Sequence, residues 1–303
     1  YFDTDFVPAE DVKTLSLLNK LLARIGTENL SYETLLRETD LYTGGITTSI
    51  ETNENADGAT ISSFVLHAKS TMENLGHVLR LSDEILLHPA FDETDQIRSI
   101  VSETRLAKQQ QIQSAGNAAA VSRISAGYSD SARFFEEIGG IAFYDWISGL
   151  DREFAGESDR LRAELERTVR EIISRGGLTV SLTATPGDME RAREMTAEFV
   201  KRIPEAVTAK KKPVFDPLAR NEAFMTAGSV QYNAQGGSYE GTAPYSGGML
   251  VAKTILSMDY LWNRVRVKGG AYGAGFGVSR TGDMHLSSFR DPNLAATYDA
   301  FAG

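Results

Sequence analysis

The chain has 303 residues, a net charge of −10, and 42% hydrophobic and 24% charged residues. At roughly 150 residues per domain, this length predicts about two domains, each able to bury a core. The negative charge argues against nucleic acid and membrane surfaces as partners, the lack of cysteine excludes disulfides and thiolate metal sites, and no apolar run approaches the roughly 18 residues of a membrane span. We therefore expect a cytoplasmic protein.

The first part of the chain predicts helices followed by a β-hairpin. Apolar residues at helical spacing predict one helix over residues 12–25, and a second helix follows over residues 32–39. Two segments rich in β-branched residues, 46–52 and 59–69, lie on either side of Asp57-Gly58. They predict two antiparallel strands that are joined by a turn.

The middle of the chain predicts mainly helices. Residues 72–174 keep helical spacing, with separate helices over residues 134–150 and 161–173. A strand over residues 178–184 and a helix over residues 188–203 follow. This order of elements indicates an α+β domain in which helices cover one sheet.

A domain duplication is predicted from the elements that follow a linker. Prolines and a lysine run predict this linker at residues 205–220, between a domain over 1–204 and a second one over 221–303. The second part then repeats the order of the first: a strand near 227–232, a helix over 246–267, a double glycine and two strands. Gly44-Gly45 and Gly269-Gly270 lie 225 residues apart. We therefore predict duplicated domains, each with a mainly antiparallel sheet faced by helices, and a truncated second copy.

Histidines and adjacent acids offer little catalytic chemistry. None of the four histidines lies in an H-E-x-x-H or H-x-x-E-H motif, so we predict no metal site within this chain. Glu84 and His88 are interpreted as a surface contact four residues apart on one helix. His67 and His285 are interpreted as structural or surface residues of strands. Glu136-Glu137 are interpreted as solvated charges, because neighbours on a helix point about 100° apart.

Five glycines lie among the nine residues 269–277, directly after a predicted helix. Such glycine density allows another backbone to approach closely. A phosphate-binding loop is disfavoured, because G-x-x-x-x-G-K-[ST] is absent and the glycines follow the helix instead of preceding one. An extended peptide added at the sheet edge fits this segment, with Arg266 and Tyr272 as its polar contacts. A tightly packed strand with incidental Arg and Tyr is the alternative.

Two segments closely resemble the C-terminal half of the presequence proteases, which are pitrilysin-type inverzincin metallopeptidases. They are R-V-K-G-G-A-Y-G at residues 266–273 and S-F-R-D-P-N at residues 288–293, and shorter matches lie at residues 25–32, 43–46 and 242–245. The resemblance implies the third domain and the start of the fourth domain of a four-domain enzyme. In that family, two halves close around an unstructured peptide, which is cleaved in the enclosed chamber.

The resemblance also implies a division of chemical roles. Zn²⁺ would be bound by the N-terminal half of the same enzyme, which lies outside this chain, so the chain alone is expected to be inactive. Arg266 would anchor a substrate carbonyl and Tyr272 would stabilise the tetrahedral intermediate, both as catalytic residues that also bind substrate. Gly269 and Gly270 would shape the substrate-binding loop. A metal-free peptide-binding or structural partner subunit of the same fold is the alternative.

Overall fold

The computed structural model describes residues 1–54, 60–205 and 212–303. These residues form two compact units, one within residues 1–105 and 146–214 and one within residues 106–145 and 215–303. The units therefore interleave along the chain, and the division into domains over 1–204 and 221–303 stays a prediction. Residues 206–211 of the predicted linker and the turn at Asp57-Gly58 lie outside the described residues.

The described residues include two three-stranded antiparallel sheets with the same strand order. In one sheet, β1 and β2 flank β3 on either side, and in the other, β4 and β5 flank β6. The strands are β1 Phe2–Asp3, β2 Ile46–Glu54, β3 Thr60–Ala68, β4 Ala234–Ser238, β5 Gly273–Val278 and β6 Asp283–Phe289. The repeated order confirms the predicted α+β fold with duplicated antiparallel sheets.

Helices account for most of the other described residues. The α-helices are α1 Val12–Leu21, α2 Tyr32–Tyr42, α3 Leu75–Leu87, α4 Thr94–Ser114, α5 Gly116–Ser125, α6 Asp130–Gly139, α7 Ile141–Ile172, α8 Met189–Val200, α9 Gly247–Ile255 and α10 Ala295–Ala302. A π-helical segment, Leu256–Lys268, continues α9. The predicted helix over residues 246–267 is therefore present, but its second half has the wider i→i+5 hydrogen bonding.

The core of the first unit forms where α1 packs beside the β2–β3 hairpin. Leu15, Leu18 and Phe64 are fully buried there. Helix α1 ends at Leu21 and not at residue 25, because Ala23 adopts a left-handed φ of 64°, which an α-helix excludes. Ile25 is nevertheless buried, so the apolar pattern correctly predicted burial beyond the end of the helix.

Three predicted elements differ in the structure. The predicted strand over residues 178–184 is wrong: Leu178 bridges Phe2 and Thr179 hydrogen bonds to Tyr1, but the described residues provide no neighbouring strand for the rest. The predicted strand near 227–232 is displaced to β4, because β4 and not the earlier segment pairs with β6. The two helices predicted over 134–150 and 161–173 are largely one helix, the 32-residue α7.

Adjacent acids on α6 are buried, so the prediction of solvated charges is wrong. Glu136 is 0% exposed and Glu137 is 2% exposed. Glu136 accepts a hydrogen bond from Arg123 (3.1 Å) and one from the Ala142 N–H (3.1 Å) at the start of α7. Glu137 pairs with Arg133 at 2.6 Å, one helical turn away. Each carboxylate is buried with its own arginine, which offsets the cost of removing it from water.

A half-buried carboxyl on α7 makes the stability of the first unit depend on pH. Burial and the nearby Asp11 carboxylate raise the pKa of Glu171 to about 7, against an ordinary value of 4.5. A pKa that is raised in the folded state contributes stability below pH 4.5, and this contribution is lost as pH rises through about 7. We expect Glu171→Gln to reduce the fall in melting temperature between about pH 5 and pH 8. The exposed Glu190→Gln serves as the control, and an unchanged fall in the Glu171 variant would contradict the assignment.

Candidate functional site

Arg266 lies near the end of the π-helical segment, directly after the buried Val265. Leu261 and Val265 anchor the segment in the core of the second unit, together with Ala271 and Phe301. The Arg266 guanidinium stacks on the Trp262 ring, with 3.8 Å between its central carbon and the ring centroid. This cation–π contact holds the guanidinium in one place while the residue stays half-buried.

The double glycine after Arg266 is required by backbone geometry. Gly270 has a φ of 83°, in the left-handed region that favours glycine. A Cβ on Gly269 would lie 2.5 Å from the carbonyl oxygen of Val265. The two glycines therefore let the chain turn sharply, and the predicted role of Gly269 and Gly270 in shaping this loop has a backbone cause.

Tyr272 follows this turn and projects into solvent, with 68% of the residue exposed. Its backbone N–H donates to the Phe289 carbonyl (3.0 Å), which ties the residue to the end of β6. The Arg290 guanidinium lies 5.7 Å from the centre of the Tyr272 ring, and Arg290 has a left-handed φ of 47°. Arg266 and Tyr272 thus flank one turn, but each side chain contacts a different neighbour.

The glycines of β5 divide into packed and open positions. A Cβ on Gly277 would lie 2.1 Å from the His285 ring on β6, whereas Gly273 and Gly275 have only ordinary or distant neighbours. The Phe276 N–H already donates to the Ser257 hydroxyl (3.0 Å). A peptide added along β5 would have to compete with Ser257 at this point, so the expectation of an open sheet edge does not hold there.

The histidines do not form a catalytic relay among the described residues. Ser49 and Glu51 both approach the same His67 nitrogen, Nε2, at 3.3 and 3.1 Å, whereas a relay needs the acid and the nucleophile on different ring nitrogens. Burial lowers the pKa of His285 below its ordinary value, and Lys253 lowers it further, so this ring is neutral at pH 7.

His88 and Glu84 do not pair with each other as predicted. Glu84 accepts from the Thr27 hydroxyl (2.8 Å), and His88 approaches Glu28 at 3.4 Å. Within the described ranges, no three metal-ligating side chains come together in a group suited to an ion. No helix there is both long and apolar enough to cross a bilayer.

Two family models match the chain along most of its length. One describes the associated domain of the M16 peptidases, subfamily C, and matches residues 1–150, and the other is described as "PreP C-terminal domain" and matches residues 221–303. The chain corresponds to the C-terminal half of a presequence-type M16 peptidase. The resemblance of the motifs at residues 266–273 and 288–293 to presequence proteases is thereby confirmed.

Curated relatives of the presequence-type peptidases align with nearly the whole chain. Protein HypA of Clostridium perfringens is 29% identical over 99% of this chain and 31% of its own length. Presequence protease 1, chloroplastic/mitochondrial, of Arabidopsis thaliana is 25% identical over 100% of this chain and 28% of its own length. The chain therefore spans about a third of the length of the relatives that it matches.

Solved structures support the same fold. The periplasmic protease PqqL from Escherichia coli matches with a TM-score of 0.57 at 15% identity, over 98% of this chain and 31% of that chain. A conserved protein from Enterococcus faecalis V583 matches with a TM-score of 0.58 at 12% identity, over 93% of this chain and 67% of that chain. Presequence protease 1 and PqqL are proteases, and this chain has the fold of one half of such an enzyme.

The site contains residues that the sequence reasoning did not assign. Trp262 supports Arg266, and Arg290 lies against Tyr272. The Trp262–Arg266 pair is visible in the sequence as an aromatic residue and a cation at i and i+4 of a helix. Arg290 lies inside the 288–293 motif, which was recognised only as part of the resemblance.

Proposed function

We propose that this chain is the non-zinc-binding half of a zinc metalloendopeptidase that degrades unstructured peptides in a closed chamber. Its role is to supply Arg266 and Tyr272 to the substrate near the scissile bond. The observation that carries the proposal is the turn at Gly269-Gly270, which places a supported guanidinium and an exposed phenol on its two sides. Substrate binding by the two glycines and a cytoplasmic location are parts of the same proposal.

The chemistry of the two side chains fits these roles. A guanidinium donates several hydrogen bonds in a fixed geometry and suits a main-chain carbonyl of a bound peptide. A phenol hydroxyl donates a hydrogen bond to an oxygen that gains negative charge during amide cleavage. Because Tyr272 is largely exposed, it is accessible to a peptide enclosed from the other side.

The proposed Zn²⁺ belongs to the N-terminal half of the enzyme. The part of this chain that the structure describes has no group of side chains that fits the ion. The metal would activate the water that attacks the peptide, and the residues of this chain would bind and orient the peptide. The N-terminal half and an unstructured peptide are therefore the two proposed partners.

The complete gene product tests the proposal directly. We expect it to contain one zinc ion per chain and to cleave a fluorogenic unstructured peptide, with activity lost on treatment with a chelator and restored by Zn²⁺. The 303-residue chain alone is expected to bind no zinc and to cleave nothing. A complete product that binds peptides without zinc or cleavage would overturn the proposal in favour of a metal-free partner subunit.

A further inference from the structure

A buried polar cluster lies beneath the turn that carries Arg266 and Tyr272. Its members are side chains of the second unit that are 0–3% exposed, Asn233, Ser288, Asp291 and Thr297, together with the half-buried Asn293. A buried cluster of this kind is unfavourable unless its members satisfy each other, and here they do.

Asp291 is the centre of the cluster. One carboxylate oxygen, Oδ1, accepts the Asn293 backbone N–H at 2.9 Å. The other, Oδ2, accepts the Thr297 hydroxyl at 2.7 Å and the Asn233 Nδ2 at 3.3 Å. Asp291 also forms a two-way backbone bridge with Gln231, with both N···O distances at 2.9 Å. The segment after β6 is therefore fixed from several directions.

Asn293 connects this cluster to the turn. Its Nδ2 donates to the carbonyl oxygen of Gly269 at 2.6 Å, and the adjacent Pro292 ring lies 3.6 Å from the position of a Cβ on Gly270. The Gly270 N–H in turn donates to the Arg266 carbonyl at 2.9 Å. A continuous chain of contacts thus runs from the buried Asp291 through Asn293 to the backbone of Arg266.

We infer that Asp291 and Asn293 are positioning residues, which hold the turn so that Arg266 and Tyr272 keep their places. This inference rests on the proposed function for its catalytic consequence, but its structural part is separate. It gives a role to the D-P-N end of the 288–293 motif, which neither the fold nor the chemistry of Arg266 and Tyr272 had used. A small displacement of catalytic groups lowers turnover strongly, so loss of Asn293 should act at a distance from the substrate.

The first test reads the position of Arg266 without using activity. The 303-residue chain has two tryptophans, and Trp146→Phe leaves Trp262, on which Arg266 stacks, as the single fluorophore. We expect Asn293→Ala to change the emission of Trp262 in this background. Tyr232→Phe is the matched control, because it also removes one side-chain hydrogen bond to a carbonyl of the same unit (3.1 Å, to Gln113) without reaching the turn. Unchanged Trp262 emission in the Asn293 variant would overturn the inference.

The second test uses the complete enzyme. We expect Asn293→Ala to lower kcat by about 10- to 100-fold with KM within about threefold of wild type, and Tyr232→Phe to leave both within about twofold. If Asn293→Ala does not unfold cooperatively, Asn293→Asp keeps the shape and replaces the donor with an oxygen, and the same results are expected.

The outcomes separate the two proposals. A wild-type enzyme that cleaves peptides, combined with an Asn293 variant whose kcat and Trp262 emission are both normal, would refute the positioning role and leave the proposed function standing. A changed Trp262 emission in a complete protein that cleaves no peptide would refute the proposed function and support the structural part of the inference.

Discussion

Replacing Arg266 with alanine, or Tyr272 with phenylalanine, is expected to lower kcat of the complete enzyme by about one to three powers of ten. This is the range observed when an enzyme loses one donor to a developing oxyanion. Tyr272→Phe removes only the hydroxyl, because the ring that faces Arg290 remains. We therefore expect this variant to lower kcat and kcat/KM equally, as for an interaction made only in the transition state.

Arg266→Ala should also raise KM, because the guanidinium is proposed to bind a carbonyl of the peptide before reaction. Arg264→Ala is the control, since Arg264 is an exposed residue of the same π-helical segment whose guanidinium lies 6.0 Å from the Tyr260 ring. Steady-state kinetics with one fluorogenic peptide would compare the three variants. If Arg266→Ala and Tyr272→Phe both stay within about twofold of wild type, the assignment of these residues is wrong.

The second large effect concerns stability. Arg123→Met is expected to lower the free energy of unfolding by about 3–5 kcal/mol, the loss typical when one member of a buried ion pair is removed. Arg123 donates to the fully buried Glu136 at 3.1 Å and forms a two-pronged pair with Glu222, with both distances at 2.7 Å. Methionine keeps much of the aliphatic packing, so the lost stability reports the unpaired carboxylates.

Urea denaturation of the 303-residue chain would measure this loss. Arg162→Ala, which breaks the exposed Arg162–Glu166 pair, should change the free energy of unfolding by about 0.5 kcal/mol or less. Adding Glu136→Gln to Arg123→Met should recover part of the loss, because the amide keeps an acceptor for the Ala142 N–H and leaves no buried charge. A loss below about 1 kcal/mol for Arg123→Met alone would contradict the buried-pair interpretation.

Local patterns in the sequence predicted the local structure well. The strands β2, β3, β5 and β6 follow segments with β-branched residues or glycine, and their hairpins were predicted within a few residues. The 225-residue spacing of the double glycines predicted the duplication, and Gly45 and Gly270 both adopt left-handed φ values in the structure. Such features depend on neighbours in sequence, so the sequence is sufficient to predict them.

Features that depend on distant residues were not predictable. Glu136 is buried because Arg123 on another helix reaches it, and nothing at positions 136 and 137 alone indicates this pairing. The cluster at Asp291 needs Asn233, which lies 58 residues away. The segment over residues 178–184 has the composition of a strand, but composition does not provide the neighbouring strand that a sheet requires. The roles of Arg266 and Tyr272 came from the resemblance and not from their spacing.

The two arginine–glutamate pairs of α5 and α6 also bear on how this protein changes over evolutionary time. A variant that loses Glu136 keeps a buried guanidinium at Arg123, and the same holds for Glu137 and Arg133. Replacing both members of such a pair with apolar residues is often neutral, whereas losing one is costly. Diverging lineages should therefore inherit or lose each pair as a unit, and codons 123 and 136, like codons 133 and 137, should covary.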